Sequence, residues 1–428
     1  MMKKIKINDV EEILYYEQLK NGLNVYMIPK KTVNNVYVTY TTKYGSIHNE
    51  FKSINSKKMI KVPNGIAHFL EHKMFEQENG VDPMIFFTSK GADVNAFTGL
   101  LNTTYLFYGS KHLNDNLKFL LDYVHSPYFT NENVEKEKGI IEQEINMYAD
   151  IPYSELDDGI RKNLFHNHPA KYSIAGTIND VNDITKEQLY ECYNTFYHPS
   201  NMFLVLTGNF NPEEVITIVK QKQEERCVPS VEKIETKKVK EPPTVIKEYE
   251  EKIMNVEIAK IAFSFKICLT DFQKERRKHD IYLLILFLVL FGQTSLFYEK
   301  MKENSYVDSE IDINYLHIDD YAILNLTSDT KKPKELINAI KEEIENINID
   351  EKEFKRKKKV LISSMIHLFE NIKTLNHHII DSVNNYGNFN NDMLKLLRGL
   401  NIKEYREFIF KLNFNNYSSF VIKPKDKK

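Results

Sequence analysis

His68, Glu71 and His72, within the run Gly65-Ile66-Ala67-His68-Phe69-Leu70-Glu71-His72, are the residues of this chain best suited to chemistry. On a helix, positions three and four apart share a face, so the two imidazoles and the carboxylate would stand together. Two imidazoles one turn apart can grip one tetrahedral ion, and a carboxylate beside them can reach a water bound to it. His-x-x-Glu-His is the inverted order of the His-Glu-x-x-His zinc motif. The same pattern arises by chance in a chain this long on the order of a few per cent of the time, as polar residues that merely share one face of an amphipathic helix. Two histidines are only part of a metal site, so a further ligand has to come from elsewhere.

A second segment supplies a candidate. The stretch from Asn133 to Tyr148 has helical periodicity, with Val134, Ile141, Ile145 and Tyr148 forming its apolar stripe. Glu137 and Glu144 are seven residues apart and therefore fall on nearly the same line, bordering that stripe, whereas Glu142 points toward solvent. Two carboxylates beside a buried face are costly unless a cation or a hydrogen bond compensates them. An ion held by His68 and His72 would do so, with Glu144 as ligand and Glu137 orienting the ligand set. The alternative is a pair of edge glutamates whose side chains fold outward.

These helices need a framework. Residues 24–28 and 36–40 are β-branched and aromatic and read as paired strands, and Pro63-Asn64-Gly65 is a turn that can open a helix near Ile66. Asp93–Thr98 and Thr103–Gly109 are further strand candidates, Leu113–Val124 and Lys186–Tyr197 are helices, and Met202–Thr207 is a strand. The stretch 221–251 is rich in Lys and Glu, carries Pro229 and Pro242-Pro243, and lacks apolar periodicity, as a linker would. A zinc-binding domain over 1–220 and a second domain over 252–428 are expected on either side. Each half ends in a helix followed by a strand, Ile184–Tyr190 then 201–206, and Asn401–Phe408 then Tyr417–Ile422. That repetition suggests two related α+β halves.

The bulk numbers fit. The chain has 428 residues, 42% of them hydrophobic and 28% charged, which is a globular profile too long for one ordinary core. A net charge of −2 with Lys and Arg spread throughout gives no nucleic-acid or membrane-surface footprint. Cys192, Cys227 and Cys268 are far apart with no Cys-x-x-Cys pair, which argues against a disulfide framework and a thiolate zinc site and fits a reducing compartment. The basic start has no apolar stretch behind it, so no secretory signal is read and a cytoplasmic protein is expected. Ile281–Phe291 is too short to cross a bilayer and reads as a core helix. The remaining histidines show no ligand spacing.

The two motif segments together resemble the insulinase/pitrilysin family of inverzincins, in particular its mitochondrial processing peptidase branch and the bacterial two-chain peptidases. Glu144 follows His72 by 72 positions, with Glu137 seven before it, as in that family. Gly45-Ser46, Asn95-Ala96-Phe97-Thr98, the Gly176 region and the stretch from Pro199 to Gly208 are similar as well. In the second half the likeness rests on Phe291-Gly292-Gln293-Thr294-Ser295. The resemblance implies two homologous α+β domains, each a mainly antiparallel sheet packed with helices. It implies Zn2+ held by His68, His72 and Glu144, Glu71 as general base, Glu137 assisting, and a metalloendopeptidase cutting unstructured peptides or leader segments.

Substrates of such enzymes pair as an added strand at a sheet edge, which makes Asn95 and Ala96 the expected contacts. The family's second domain presents an arginine and then a tyrosine to the substrate. Here Lys302 and Asp308 stand at those places, with Tyr306 nearby, and lysine lacks the planar fork of arginine. The departure implies a heterodimer whose homologous partner lacks the zinc motif but supplies the missing pair, a homodimer being the alternative. A non-catalytic peptide-binding or scaffolding subunit is the competing reading.

Overall fold

The computed structural model describes residues 2–7, 10–226 and 233–425. Cys227 and Pro229 lie outside them. The chain folds into two compact units that no single cut in the sequence separates. One comprises 1–145, 173–238 and 365–393, the other 146–172, 239–364 and 394–428. Only the crossing at 238/239 falls in the Lys/Glu-rich stretch 221–251 expected as the linker. The other crossings carry no compositional signal.

The first unit is built on a seven-stranded sheet in the order Lys3–Ile7, Glu12–Gln18, Asn24–Pro29, Met202–Gly208, Val36–Thr42, Thr103–Gly109, Ala92–Thr98. Val36–Thr42 is buried along its whole length, as a central strand of β-branched and aromatic residues should be. Asn24–Pro29 and Val36–Thr42 are not paired with each other, contrary to the sequence expectation. Met202–Gly208 lies between them, parallel to the first (Val25 beside Leu204) and antiparallel to the second (Val38 beside Leu206). Local strand pattern identifies strands but not their neighbours, and here a strand about 160 residues downstream takes the place.

The second unit carries a five-stranded sheet in the order Tyr249–Met254, Tyr417–Pro424, Ala259–Cys268, Tyr321–Thr330, Asp312–Ile318. Tyr417–Pro424 is parallel to Tyr249–Met254, and every other pairing is antiparallel. Counted along the chain, the order is first, fifth, second, fourth, third. The five strands from Asn24–Pro29 onward in the first unit follow the same order with the same directions. The helix-then-strand ending seen twice in the sequence is thus the end of one topology used twice, in two α+β domains with mainly antiparallel sheets.

Each unit also contains a helix encoded in the other half of the sequence. On the seven-stranded sheet, Leu375, Ile379, Ile380 and Val383 of the helix Ile372–Tyr386 pack against Tyr26, Ile28, Phe203 and Val205. Burial of each such aliphatic side chain contributes about 1.5–3 kcal/mol. Asn376 of that helix is fully buried and holds Thr39 Oγ1 at 2.7 Å and the carbonyls of Tyr37 and Val205 at 3.2 Å, which fixes the helix's register on the sheet. In the second unit the helix Pro152–Leu164 lies on the five-stranded sheet, with Gly159 against the Phe420 ring where a Cβ would come within 2.5 Å.

The run Thr270–Glu303 spans 34 residues and is long and apolar enough to cross a bilayer by length and composition. In the structure it is three helical pieces, Thr270–Glu275, Arg276–Phe291 and Leu296–Glu303, and 56% of its most apolar window is buried. Leu283, Ile285, Leu286 and Phe287 have almost no exposed surface, so packing accounts for the apolarity, as expected for a core helix.

Candidate metal centre

The motif residues sit on the helix Ile66–Lys73, which begins after Gly65. Gly65 has φ +81°, a left-handed conformation that glycine adopts without penalty, and a Cβ there would collide with the Ala175 carbonyl. Gly176, φ +74°, is set against the other side, and a Cβ on it would lie 2.6 Å from the Asn64 carbonyl. The helix thus starts from a close backbone contact. It is buried almost all round, including His68, Glu71 and Lys73. His68 and Glu71 are therefore turned away from water, with His72 25% exposed beside them, and their buried polar atoms need partners.

The partners come from the helix Asn131–Ala149. Val134 and Ile141 are buried and Ile145 is half-buried, but Tyr148 is 39% exposed, so the apolar stripe ends one turn earlier than its spacing suggests. The Glu137 and Glu144 side chains are only 13% and 20% exposed, turned inward rather than outward. Glu142 is exposed, as expected. Glu144 Oε2 lies 3.4 Å from His72 Nε2 and 3.7 Å from His68 Nε2. On the far side of the ring, His72 Nδ1 meets Glu137 Oε1 at 3.1 Å. Glu137 Oε2 is in turn 3.7 Å from Lys73 Nζ.

Three observations show that these residues fit a divalent cation. One ligand atom each from His68, His72 and Glu144 lies within 4.8 Å of the others. Glu144 Oε2 is buried and has no hydrogen-bond partner among the described residues, although both imidazoles point at it. Finally, three carboxylates (Glu71, Glu137 and Glu144) act on the His72 ring, while the one ammonium nearby, Lys73, also pairs with Glu76, so the surroundings favour a cation. Two imidazole nitrogens and a carboxylate oxygen supply three of the four ligands of a tetrahedral ion, the donor set of a catalytic zinc. The Glu137 contact to Nδ1 selects the tautomer whose Nε2 lone pair is free for an ion.

The electrostatics agree. Burial, and then the neighbouring His72, push the His68 pKa down to about 4, which keeps that ring neutral and able to coordinate. For His72 burial acts downward, but the Glu137 hydrogen bond and the nearby carboxylates prevail and raise its pKa. For Glu137 burial acts upward, and is outweighed by His72 and Lys73, which hold it below the usual carboxylate range. Glu71 stands outside the ligand trio. Burial lifts its pKa to about 6, against the pull of a hydrogen bond from Thr98 Oγ1. A carboxylate poised there is suited to take and return a proton near neutral pH.

Thr98 is the last residue of Ala92–Thr98, the edge strand of the seven-stranded sheet. Asn95 and Ala96 lie on that edge, Asn95 exposed and Ala96 partly so. The Ala96 N–H is held by Asn95 Oδ1 at 2.9 Å. Lys302 belongs to the second unit, exposed near the end of the helix Leu296–Glu303. Asp308 is engaged with the turn at Lys331, accepting from its N–H at 2.8 Å and pairing with its Nζ at 3.2 Å, and the Tyr306 ring lies 5.0 Å from Lys332 Nζ. Two contacts of the site lie outside the sequence pattern, the Thr98 hydroxyl on Glu71 and Lys73 behind Glu137. The one local cue for Lys73 is its place directly after the motif and before the apolar pair Met74-Phe75.

Residues 60–178 match the insulinase (peptidase family M16) profile and residues 183–361 that of the peptidase M16 inactive domain. The uncharacterised zinc protease YmfH of Bacillus subtilis is 40% identical over 366 residues, 84% of this chain and 85% of that protein. The crystal structure of an M16-like peptidase from Alicyclobacillus acidocaldarius superimposes with a TM-score of 0.91 at 29% identity, covering 98% of this chain and all of the other. A protease from Helicobacter pylori shares the fold, with a TM-score of 0.81 at 18% identity over 96% of this chain and 99% of its own. The chain belongs to the insulinase family, peptidase family M16.

Proposed function

We propose that this chain is a zinc metalloendopeptidase that cleaves unstructured peptides or leader segments, acting in the cytoplasm as the zinc-bearing subunit of a two-chain enzyme. The observation that carries the reading is the convergence of His68, His72 and the otherwise unpartnered Glu144 Oε2, with Glu71 beside them and outside the trio.

His68, His72 and Glu144 would hold the ion. Zinc bound there supplies a water activated near neutral pH and polarises the scissile carbonyl. Glu71 takes the proton from the attacking water and delivers it to the leaving amine, a role that its pKa of about 6 favours. Glu137 keeps the His72 ring in its coordinating tautomer. An extended peptide adds as a strand beside Ala92–Thr98, where it displaces Asn95 Oδ1 from the Ala96 N–H. Main-chain pairing of this kind selects for extended backbone more than for side chains. Lys302 stands where the family's substrate-binding arginine would, and Asp308 is committed to Lys331. On this reading a homologous partner without the zinc motif provides the arginine and tyrosine.

The test compares wild type with Glu71→Gln, alone and with the candidate partner chain, for zinc content and for cleavage of an unstructured peptide library. Zinc in both proteins with cleavage only by wild type is the expected result. Zinc in both with cleavage by neither, partner included, would make this chain a peptide-binding subunit. Full activity of the chain by itself would remove the heterodimer.

A further inference from the structure

The residue directly after the motif, Lys73, has no exposed surface. A buried ammonium costs several kcal/mol unless it is paired, so its surroundings carry meaning. It ion-pairs with Glu76 one turn along and lies 3.7 Å from Glu137 Oε2. Glu76 is 43% exposed and does not by itself explain why the lysine points inward. Glu137 does. Its Oε1 meets His72 Nδ1 at 3.1 Å while its Oε2 faces Lys73, so one carboxylate is held between an imidazole and an ammonium.

From this geometry we infer that Lys73 is a positioning residue for the metal centre, acting on His72 through Glu137. The inference rests on the reading of His68, His72 and Glu144 as the ligands. The Glu137 side chain is only 13% exposed, and the cost of taking its carboxylate out of water favours turning it outward. The ammonium opposes that turn. It fixes Oε2, so that Oε1 stays aimed at Nδ1 and the His72 ring keeps Nε2 toward Glu144. Lys73 is on the same helix as His68 and His72 yet off their face, and it reaches the ligand set only by way of the opposite helix. The chain of contacts therefore runs from Lys73 to Glu137 to His72 and ties the two helices together at the ion.

The experiment is a double-mutant cycle on the full chain, read as affinity for zinc alone in competition with a chromophoric chelator. The proteins are wild type, Lys73→Met, Glu137→Gln and the double variant, with a thermal melt of each metal-free form. Lys73→Met should weaken zinc binding about tenfold or more, the usual scale for groups that orient a ligand. In the Glu137→Gln background the same substitution should cost no further affinity, because its route to the ion is already cut. An unchanged affinity in Lys73→Met overturns the inference, and so does an equal loss in both backgrounds, which would mark a general packing role. Should Lys73→Met fail to fold, Lys73→Gln goes through the same cycle with the same outcomes. A wild-type chain that takes up no zinc would instead overturn the metal-centre reading itself, and is recognisable because all four proteins then behave alike.

Discussion

Thr98 donates its hydroxyl hydrogen bond to Glu71 Oε2, joining the end of the edge strand to the carboxylate proposed as the base. Burial raises the Glu71 pKa to about 6 and the Thr98 bond acts against that rise. The bond favours the ionised form, so its removal leaves the carboxyl protonated to higher pH. A wild-type pH profile of kcat/KM should fall on its acid side through about pH 6. In Thr98→Val that limb should move to higher pH by about one to two units, since a hydrogen bond to a charged group is worth about 1.5–3 kcal/mol. An unmoved limb in Thr98→Val would mean that Glu71 does not set it.

Metal removal offers a second check, independent of substrate. An ion that binds the folded chain and not the unfolded one stabilises it by about 4 kcal/mol at a thousandfold excess over Kd. Zinc should therefore raise the melting temperature of the chelator-stripped protein, and Glu144→Ala should abolish that rise. The sign with pH follows from His72, whose pKa is raised by the Glu137 hydrogen bond and nearby carboxylates against the effect of burial. Below that pKa the ring is protonated and cannot coordinate, so the zinc-dependent rise should be present at neutral pH and shrink as the solution is acidified. A rise that survives acidification unchanged would place the ion elsewhere.

Lys266 and Glu241 form a buried ion pair in the second unit, with side chains 0% and 3% exposed and a separation of 2.6 Å. Lys266 also donates to the Leu164 carbonyl at 2.8 Å and the Thr244 carbonyl at 3.0 Å. Glu241 accepts from the N–H groups of His166, Asn167 and His168 at 2.7–2.8 Å. Lys266→Met leaves that carboxylate buried without its counter-charge and should cost about 3–5 kcal/mol. For Glu241 burial acts upward, but Lys266 and the three N–H groups prevail and hold its pKa below the usual range. A depressed carboxylate contributes stability above its unfolded pKa and loses it as pH falls through the folded one. Denaturant unfolding should thus show a large gap between wild type and variant at pH 7 that narrows in acid.

The parts of the candidate site were legible in the sequence because they are locally periodic. The three- and four-residue spacing of His68, Glu71 and His72 fixes a shared face, and the seven-residue spacing of Glu137 and Glu144 does the same on the second helix. What local pattern does not contain is pairing at a distance. Nothing in Asn24–Pro29 and Val36–Thr42 states that Met202–Gly208 comes between them. Likewise, the apolar face of Ile372–Tyr386 marks a helix that must be covered but not which sheet covers it. The Thr98 donation to Glu71 is absent from local pattern for a related reason, since only the meeting of strand and helix creates it.

The start of the motif helix gives a controlled comparison between two glycines. Gly65 and Gly80 both have positive φ, +81° and +71°, so an alanine at either is strained to a similar degree, about 1–2 kcal/mol. They differ in space. A Cβ at Gly80 would meet nothing within 4 Å, whereas at Gly65 it would run into the Ala175 carbonyl, a backbone atom that cannot rotate away. Gly65→Ala must therefore push the first turn of the helix from its seat, and His68 is only three residues on. Gly80→Ala should lower stability modestly and leave zinc affinity at the wild-type value. Gly65→Ala should cost several kcal/mol more and reduce zinc affinity at least tenfold, by the same scale that applies when a ligand is misoriented. Equal behaviour of the two variants, in melting temperature and in zinc competition, would show that the contact between residues 65 and 175 yields freely and does not hold the motif in place.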